Sequence, residues 1–502
     1  MKGIFSNVKK RVGNREVEAI PAGFDISGSP LSSSTHRDIV IPKRERSNSF
    51  GNGGKRSFGA NTKADPRMRD LPALKDTPAG KRDALFQLKL QLCCVIFDHT
   101  DPDADKNGME TKWHTLIELK DYVNTPQGQK QMFSEANMPE IINMVQANIC
   151  RALPPLTESY DPDEDEPVLE PAWPHLQVVY EFFLRFVVSA EVSAKAAKRH
   201  IDQSLCLWLI ELFESEDPRE RDYLKTILHR IYGKVMHHRG FIRRAIGNAF
   251  HRFVFETERH AGVAEMLEIL GSIINGFAKP LKHEHVVFLR RALLPLHKPR
   301  AVKQYHQHLS YCVVQYVEKD ADTVIPVVLA LCRWWPWSSC AKQLLFLNEL
   351  EEVLEVCSGA VTGTPCGAAV LREAMMPLAT LLARCVGSTH FQVAERALFF
   401  WNNEQLVGPG GALSMANAGA LLPLLLGPVR RHADGHWNAV VEGLASNVLK
   451  MFMDHDPVLF DRCSQDLLRE EAETARQRLE ADQRWAALER QVQATRATRL
   501  RD

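Results

Sequence analysis

Residues 217–244 read DPRERDYLKTILHRIYGKVMHHRGFIRR, and this stretch carries two stripes at helical spacing. An apolar stripe recurs at steps of four, three and four residues: Leu224, Leu228, Ile231 and Val235. A basic and aromatic stripe follows similar steps on another face: Lys225, His229, Tyr232, Met236, Arg239 and Arg243. Apolar residues at this spacing indicate an amphipathic helix that packs by one face. We therefore expect one helical run with the basic stripe at its surface.

A second apolar helix is predicted within residues 255–285, which read FETERHAGVAEMLEILGSIINGFAKPLKHEH. Ile269 and Ile273 recur at a step of four, and we expect both to be exposed beside the basic stripe. A cationic stripe next to exposed isoleucines suits a short peptide that is part apolar and part acidic. A solvated charged face is the alternative. Nucleic acid, which basic and aromatic residues also bind, is disfavoured by the formal net charge of zero.

Outward from this stretch, the chain from His175 onward divides into paired helical segments with short connections that often contain Pro or Gly. The predicted pairs are 175–190 with 194–214, 218–237 with 240–257, 260–277 with 283–297, 301–318 with 321–334, 340–356 with 368–386, 389–404 with 412–431, and 436–454 with 457–490. Earlier helices are predicted at 84–98, 112–123 and 128–152. Two helices in roughly 40 residues is the period of HEAT-type repeats. The pattern predicts an all-α, HEAT-like solenoid of stacked helix pairs.

The 502 residues divide into three predicted parts, at 1–79, 80–465 and 466–502. The first is a basic tail rich in Ser, Gly, Pro and Asn, which we expect to be disordered. Its basic clusters suit an import signal or an acidic surface, and Ser47 and Ser49 in RERSNS resemble a site for basic-directed kinases; a solvated tail is the alternative. The last part is a charged helix that either caps the solenoid and frays past about residue 490, or contacts a partner.

Two acidic segments are candidate contacts. Residues 158–167, ESYDPDEDEP, form either a solvated loop or a contact for a basic partner. Glu349, Glu351 and Glu352 form either an exposed acidic edge or a patch. Such a patch would contact basic substrate flanks or partner subunits.

Sequence signals for catalysis, metal binding and membrane insertion are absent. No phosphate loop or nucleophile elbow occurs, and His283-Glu284-His285 lacks the spacing of two ligands on one helical face. The eleven cysteines form no C-x-x-C pair, and no apolar run is long enough to span a membrane. We predict a protein that is not an enzyme, with no cofactor and no metal. We expect it to be cytoplasmic, with an additional pool in the nucleus.

Several long strings carry a resemblance to a known family. They are DEDEPVLEPAWPHLQVVYEFFLRF at 163–186, DPRERDYLKTILHRIYGK at 217–234, the string at 255–285 quoted above, LLPLHKPRAVKQYHQHLSYCVVQYVEKD at 293–320, FLNELEEVL at 346–354 and HFQVAERALFFWNNE at 390–404. They closely resemble the B-prime class (56 kDa) of regulatory subunits of protein phosphatase 2A. The resemblance covers about residues 80–465.

The resemblance implies a non-catalytic HEAT-like solenoid that joins the phosphatase scaffold (A) and catalytic (C) subunits in a heterotrimer. It also implies recruitment of substrates that carry a Leu-x-x-Ile-x-Glu motif. The residues that match the motif groove of the family are Lys225, Thr226, His229, Arg230, Tyr232, Arg239, Arg243, Glu268, Ile269, Ile273, Lys282 and His285. A generic helical-repeat adaptor that does not bind the phosphatase is the alternative function.

Overall fold

The structure, a computed structural model, describes residues 70–101, 105–154, 166–358 and 372–499. Several predicted features lie outside these ranges. They are the basic clusters of the tail, Ser47, Ser49 and nearly all of the acidic run at 158–167. Predictions about them therefore remain predictions.

Twenty α-helices occur in the described ranges, and no strand does. They are α1 (Ala79–Cys93), α2 (Lys106–Val123), α3 (Pro126–Met132), α4 (Met138–Ile149), α5 (Trp173–Val188), α6 (Ala194–His200), α7 (Gln203–Glu211), α8 (Pro218–Lys234), α9 (Arg239–Arg252), α10 (Val263–Asn275), α11 (His283–Phe288), α12 (His306–Lys319), α13 (Val324–Arg333), α14 (Cys340–Cys357), α15 (Met375–Val386), α16 (Phe391–Leu398), α17 (Glu404–Val407), α18 (Ala418–Ala433), α19 (Ala439–His455) and α20 (Pro457–Arg499).

Short 3-10 or π turns extend or connect several of these helices. The 3-10 turns are Leu212–Glu214, Met236–His238, Leu294–His297, Arg300–Gln304, Ala321–Thr323, Phe399–Asn402 and Met415–Asn417, and the π turns are Phe253–Thr257 and Leu289–Leu293. The predicted all-α class is confirmed.

The helices stack in two layers, because each helix packs against the one that lies about two elements further along the chain. One layer runs through α2, α5, α8, α10, α12, α14, α16 and α19. The other runs through α1, α4 and α6, then α7, α9, the turns of residues 289–297, α13, α15, α18 and α20. Buried apolar side chains from Leu74 to Cys463 form one core between the layers. This repeated stacking of neighbours is the arrangement that a helical-repeat solenoid requires.

The observed helices follow the predicted pairs closely, and two differences have local causes. The segment predicted at 194–214 is divided into α6 and α7, because Asp202 caps α7 by accepting a hydrogen bond from the Leu205 backbone nitrogen at 2.8 Å. The segment predicted at 240–257 leaves α-helical geometry at Phe253 and ends at Glu258, whose φ is 51°.

A residue before the first helix, Ala79–Cys93, also packs on the core. Leu74 is fully buried in the core, and its backbone nitrogen donates to Glu118 Oε1 at 2.6 Å. Leu74 thus belongs to the core although it precedes the predicted boundary at residue 79, which stays a prediction. The sequence signal was too short to show it, since a single anchoring leucine has no periodicity.

The last helix packs on the core only through its first turns. Leu459 and Cys463 are buried and Leu467 is partly buried, whereas all residues from 468 to 493 are exposed. Helical geometry continues to Arg499. The fraying expected past residue 490 stays a prediction.

Candidate functional site

Helix α8 carries the first residues of the predicted site, and its local sequence explains its start and orientation. Asp217 caps the helix by accepting a hydrogen bond from the Arg219 backbone nitrogen at 3.0 Å, and Pro218 occupies the first turn. The predicted apolar stripe faces the core. Its members are all buried: Leu224, Leu228, Ile231 and Val235.

The basic stripe does not lie on one helical run, contrary to the prediction. Helix α8 ends at Lys234, because Val235 adopts φ −105° and ψ 77°. A 3-10 turn follows, and Arg239 begins α9. Arg239 reaches back to α8 and donates from Nε to the Tyr232 carbonyl oxygen at 3.0 Å. It thereby satisfies a carbonyl that the end of α8 would otherwise leave without a donor.

Two polar contacts of predicted site residues join α8 to α10. Lys225 Nζ lies 3.0 Å from Glu268 Oε2 on α10 and 3.0 Å from Asp222 Oδ1 on its own helix. One turn further along, His229 Nε2 lies 3.2 Å from Ser272 Oγ. Both contacts lie at the surface, so they form a polar strip along the junction of the two helices.

At pH 7, the lysine of this strip, Lys225, is charged and its histidine, His229, is neutral. Burial alone would lower the pKa of Lys225, but its two carboxylate partners outweigh burial and raise the pKa. Burial lowers the pKa of His229, and the positive charge of the nearby Arg230 lowers it further. Arg230 itself is exposed and forms no ion pair within the described ranges. Thr226 hydrogen-bonds the backbone of its own helix.

A second cluster joins α8, α9 and α11 around one arginine. Arg243 donates from Nη1 to the Tyr232 hydroxyl at 2.8 Å and from Nη2 to Glu284 Oε1 at 2.9 Å. The Arg239 guanidinium lies 5.3 Å from the centre of the Tyr232 ring. The tyrosine is thus held between two arginines, which fixes both its ring and its hydroxyl.

His285 extends this cluster. Its ring stacks on Phe277 with centroids 3.7 Å apart and planes 4° apart, and Arg243 lies 5.9 Å from the centre of the same phenylalanine ring. Burial and then the charge of Arg243 lower the pKa of His285, so the imidazole is neutral at pH 7. Its buried Nδ1 has no hydrogen-bond partner within the described ranges. Lys282, just before α11, is exposed.

The two isoleucines are buried, which contradicts the prediction that they are exposed. Ile269 is 2% exposed and Ile273 is 5% exposed. The residues that precede them, Glu268 and Ser272, are exposed and face α8 through the contacts described above. Helix α10 packs on both α8 and α12, so most of its apolar side is covered. The isoleucines therefore lie beneath the polar strip.

We call the two clusters together the α8–α11 surface. The predicted residues that it brings together are Lys225, Thr226, His229, Arg230, Tyr232, Arg239, Arg243, Glu268, Lys282 and His285. Sequence reasoning missed Ser272, Phe277 and Glu284 as members. The only signal for Glu284 was its position between Lys282 and His285. The surface offers cationic groups and neutral donors beside aromatic rings, which suits an anionic peptide.

Glu349 belongs neither to an exposed acidic edge nor to an exposed acidic patch, so both predicted alternatives are wrong for this residue. Its side chain is fully buried. His297 Nε2 donates to its carboxylate at 3.0 Å, and His306 Nε2 donates to Oε2 at 2.8 Å. Burial alone would raise the pKa of Glu349, but the two histidines outweigh burial and lower it to about 2.

The other two acids of the predicted patch already have partners within the chain. Glu351 pairs with Arg396 and accepts a hydrogen bond from Asn403 at 2.9 Å. Glu352 accepts one from the Ser310 hydroxyl at 3.2 Å. Glu351 is half-buried, whereas Glu352 is exposed. Their proposed contact with partners stays a prediction.

The described ranges contain no group of three or more His, Cys, Asp or Glu residues that could hold a metal ion. None of the helices in these ranges is both long enough and apolar enough to cross a membrane.

Comparison with known proteins gives consistent matches along the chain. The family model described as "Protein phosphatase 2A regulatory B subunit (B56 family)" matches residues 71–492. The B' eta isoform of the 59 kDa regulatory subunit of this phosphatase from Arabidopsis thaliana is 50% identical over 425 residues, which cover 84% of this chain and 80% of the relative. The Arabidopsis 57 kDa B' alpha isoform is 43% identical over 501 residues, covering 98% and 97%. The human 56 kDa delta isoform is 45% identical over 454 residues, covering 89% and 72%.

Fold and surface together define a helical-repeat protein that presents a charged and aromatic surface. The extent and level of the matches then identify its family. The chain belongs to the B56 family of regulatory subunits of protein phosphatase 2A, as predicted, and its role is regulatory rather than catalytic.

Proposed function

We propose that this chain is the substrate-specifying subunit of a phosphatase 2A heterotrimer, and that its α8–α11 surface binds substrates with a Leu-x-x-Ile-x-Glu motif. The chain would join a scaffold subunit and a catalytic subunit, and the catalytic subunit would carry out the dephosphorylation. The single observation that carries the proposal is the Tyr232–Arg243 cluster, which places oriented cationic donors beside aromatic rings. Family membership supports the phosphatase as the partner.

The acidic residue of the motif would bind to the cationic end of this surface. Lys282 is exposed, and His285 Nε2 already lies 3.4 Å from a carboxylate oxygen, Glu284 Oε1. Hydrogen bonds from charged donors to a carboxylate are shorter and stronger than neutral ones.

The apolar residues of the motif would contact the rings and alkyl stems at the surface, with the buried Ile269 and Ile273 as supports beneath. Full burial of the Leu and Ile side chains of the motif contributes about 3–6 kcal/mol before the entropic cost of binding is subtracted. Ordering a short peptide cancels much of this gain. We therefore expect weak binding that depends on every part of the motif.

Peptide titration followed by fluorescence anisotropy tests the site. The probe is a fluorescein-labelled Leu-Ala-Ala-Ile-Ala-Glu peptide, and the variants are Arg239→Glu, Lys282→Glu and the double variant His229→Ala with Tyr232→Ala. We expect each to lose at least tenfold in affinity, with Arg290→Glu as the matched control because Arg290 is an exposed arginine outside the surface. Circular dichroism verifies folding. Unchanged affinity in Lys282→Glu, which alters only an exposed side chain, would reject the assignment.

Co-purification with the scaffold and catalytic subunits separates this function from that of a generic helical-repeat adaptor. A chain that binds the peptide but never the two other subunits would be such an adaptor. Variants of the α8–α11 surface should still assemble, because this surface is assigned to the substrate and not to the phosphatase.

A further inference from the structure

Two cations of the α8–α11 surface, Lys225 and Arg243, are already paired with carboxylates of the chain itself. Lys225 is paired with Asp222 and Glu268, and Arg243 is paired with Glu284. An acidic peptide that binds at Lys225 or Arg243 must therefore compete with carboxylates that the chain already holds in place.

Arg243 and Glu284 differ in their other contacts and in their exposure to solvent. Arg243 is held on its other side by the Tyr232 hydroxyl at 2.8 Å, and its guanidinium lies 5.9 Å from the centre of the Phe277 ring. Its side chain is only 14% exposed, whereas that of Glu284 is 59% exposed. The arginine is consequently fixed, and the glutamate can rotate into water without losing buried contacts.

Glu284 also lies close to the second donor of the cluster. Its Oε1 atom is 2.9 Å from Arg243 Nη2 and 3.4 Å from His285 Nε2. One carboxylate oxygen of the chain thus occupies the point where the arginine and the imidazole converge. An acidic group of a peptide would make the same two contacts.

We propose that Glu284 is an internal competitor for the acidic residue of the bound peptide, and that it sets the affinity and the acid selectivity of the α8–α11 surface. In the free protein, Glu284 neutralises Arg243. On binding, the peptide carboxylate takes its place and Glu284 turns into solvent. This proposal rests on the function proposed above and assigns a selectivity role to a residue that the sequence did not assign to the site.

The competition should be modest, because exposed ion pairs are worth little in water. A tenfold change in affinity corresponds to about 1.4 kcal/mol, and an exposed ion pair is worth less than this. Removing the charge in Glu284→Gln should therefore increase the affinity for the Leu-Ala-Ala-Ile-Ala-Glu peptide by roughly threefold to fivefold. A Leu-Ala-Ala-Ile-Ala-Gln peptide has no carboxylate side chain at this position. It should gain little from the same substitution.

The test is a cycle of two proteins and two peptides, measured by fluorescence anisotropy at low salt. Glu256→Gln is the matched control, because Glu256 is exposed and lies outside the surface. A gain for the Glu peptide that disappears with the Gln peptide supports the proposal. Since Gln can still accept a hydrogen bond from Arg243, a Glu284→Ala variant with the same selective gain strengthens it.

Other outcomes overturn the proposal. Equal or weaker binding of the Glu peptide to Glu284→Gln would mean that Glu284 helps to place Arg243 rather than to compete for it. An equal gain for both peptides, or the same gain in Glu256→Gln, would reflect total charge alone. If the unmodified protein binds neither peptide, the proposed function itself fails, and this result differs from a failure of the competition.

Discussion

Replacing Glu349 should destabilise the protein more than replacing any exposed acid, because Glu349 closes a buried charge cluster between three elements. His297 donates from Nδ1 to the Leu294 carbonyl oxygen at 2.8 Å and from Nε2 to Glu349 at 3.0 Å. Donation from both nitrogens requires the imidazolium form. Burial alone would lower the pKa of His297, but the charge of Glu349 and its hydrogen bond outweigh burial and raise it.

The magnitude follows from what remains after the substitution. In Glu349→Ala, a fully buried imidazolium loses its counter-charge, and His306 loses the acceptor of its Nε2 donor at 2.8 Å. Breaking a buried ion pair by removing one partner costs about 3–5 kcal/mol. Glu349→Gln keeps the shape and one acceptor but not the charge, so we expect a loss nearer the lower end of this range.

The loss should depend on pH in a defined direction. Because the pKa of Glu349 is lowered to about 2, its contribution is complete above its ordinary value of 4.5 and is lost as pH falls towards 2. Because the pKa of His297 is raised, its contribution is complete below its ordinary value of 6.5 and is lost as pH rises through the raised value. The pair therefore stabilises the fold most between about pH 4.5 and 6.5.

Urea unfolding of Glu349→Ala and Glu349→Gln, followed by circular dichroism between pH 4 and 9, measures this contribution. Glu373→Gln is the control, since Glu373 is exposed. The difference between unmodified protein and variant should be greatest near pH 5–6. A difference that is small, or that does not change with pH, would refute the assignment of an ionised buried cluster.

Further predictions concern other parts of the chain. Asp217→Ala removes the cap of α8 and the acceptor for the Glu170 backbone nitrogen at 3.1 Å, so urea unfolding should show a loss of about 1–2 kcal/mol; no loss would mean that the cap is dispensable. Deletion of residues 468–502 should leave the melting temperature unchanged, because residues 468–493 are all exposed; a lower melting temperature would reveal a packing role. Burial raises the pKa of Cys93 and of Cys206 to about 12 in each case, so neither thiol should react with a disulfide reagent at pH 8 until the protein unfolds.

Sequence patterns predicted the helices well because a solenoid is built from local units. The stripe through Leu224, Leu228 and Ile231 identified the core side of α8, and all three are fully buried. Helix pairs separated by short connections reveal an all-α repeat without knowledge of distant contacts, since each helix packs mainly on near neighbours. The strings shared with the family similarly pointed to most residues of the α8–α11 surface.

What the sequence by itself determined was thus the class of fold, the family and most residues of the α8–α11 surface. Tertiary structure decided which of them face solvent. Ile269 and Glu349 lie on helices that pack against neighbours on two sides, so an apolar or acidic stripe there does not indicate exposure. The break at Val235 has no proline or glycine at that residue to mark it, and only the folded chain brings Arg243 to Tyr232 and Glu284. The physical reason is that the spacing of residue types shows only which residues share a face of one helix. Burial and ion pairing depend on the helices that pack beside it.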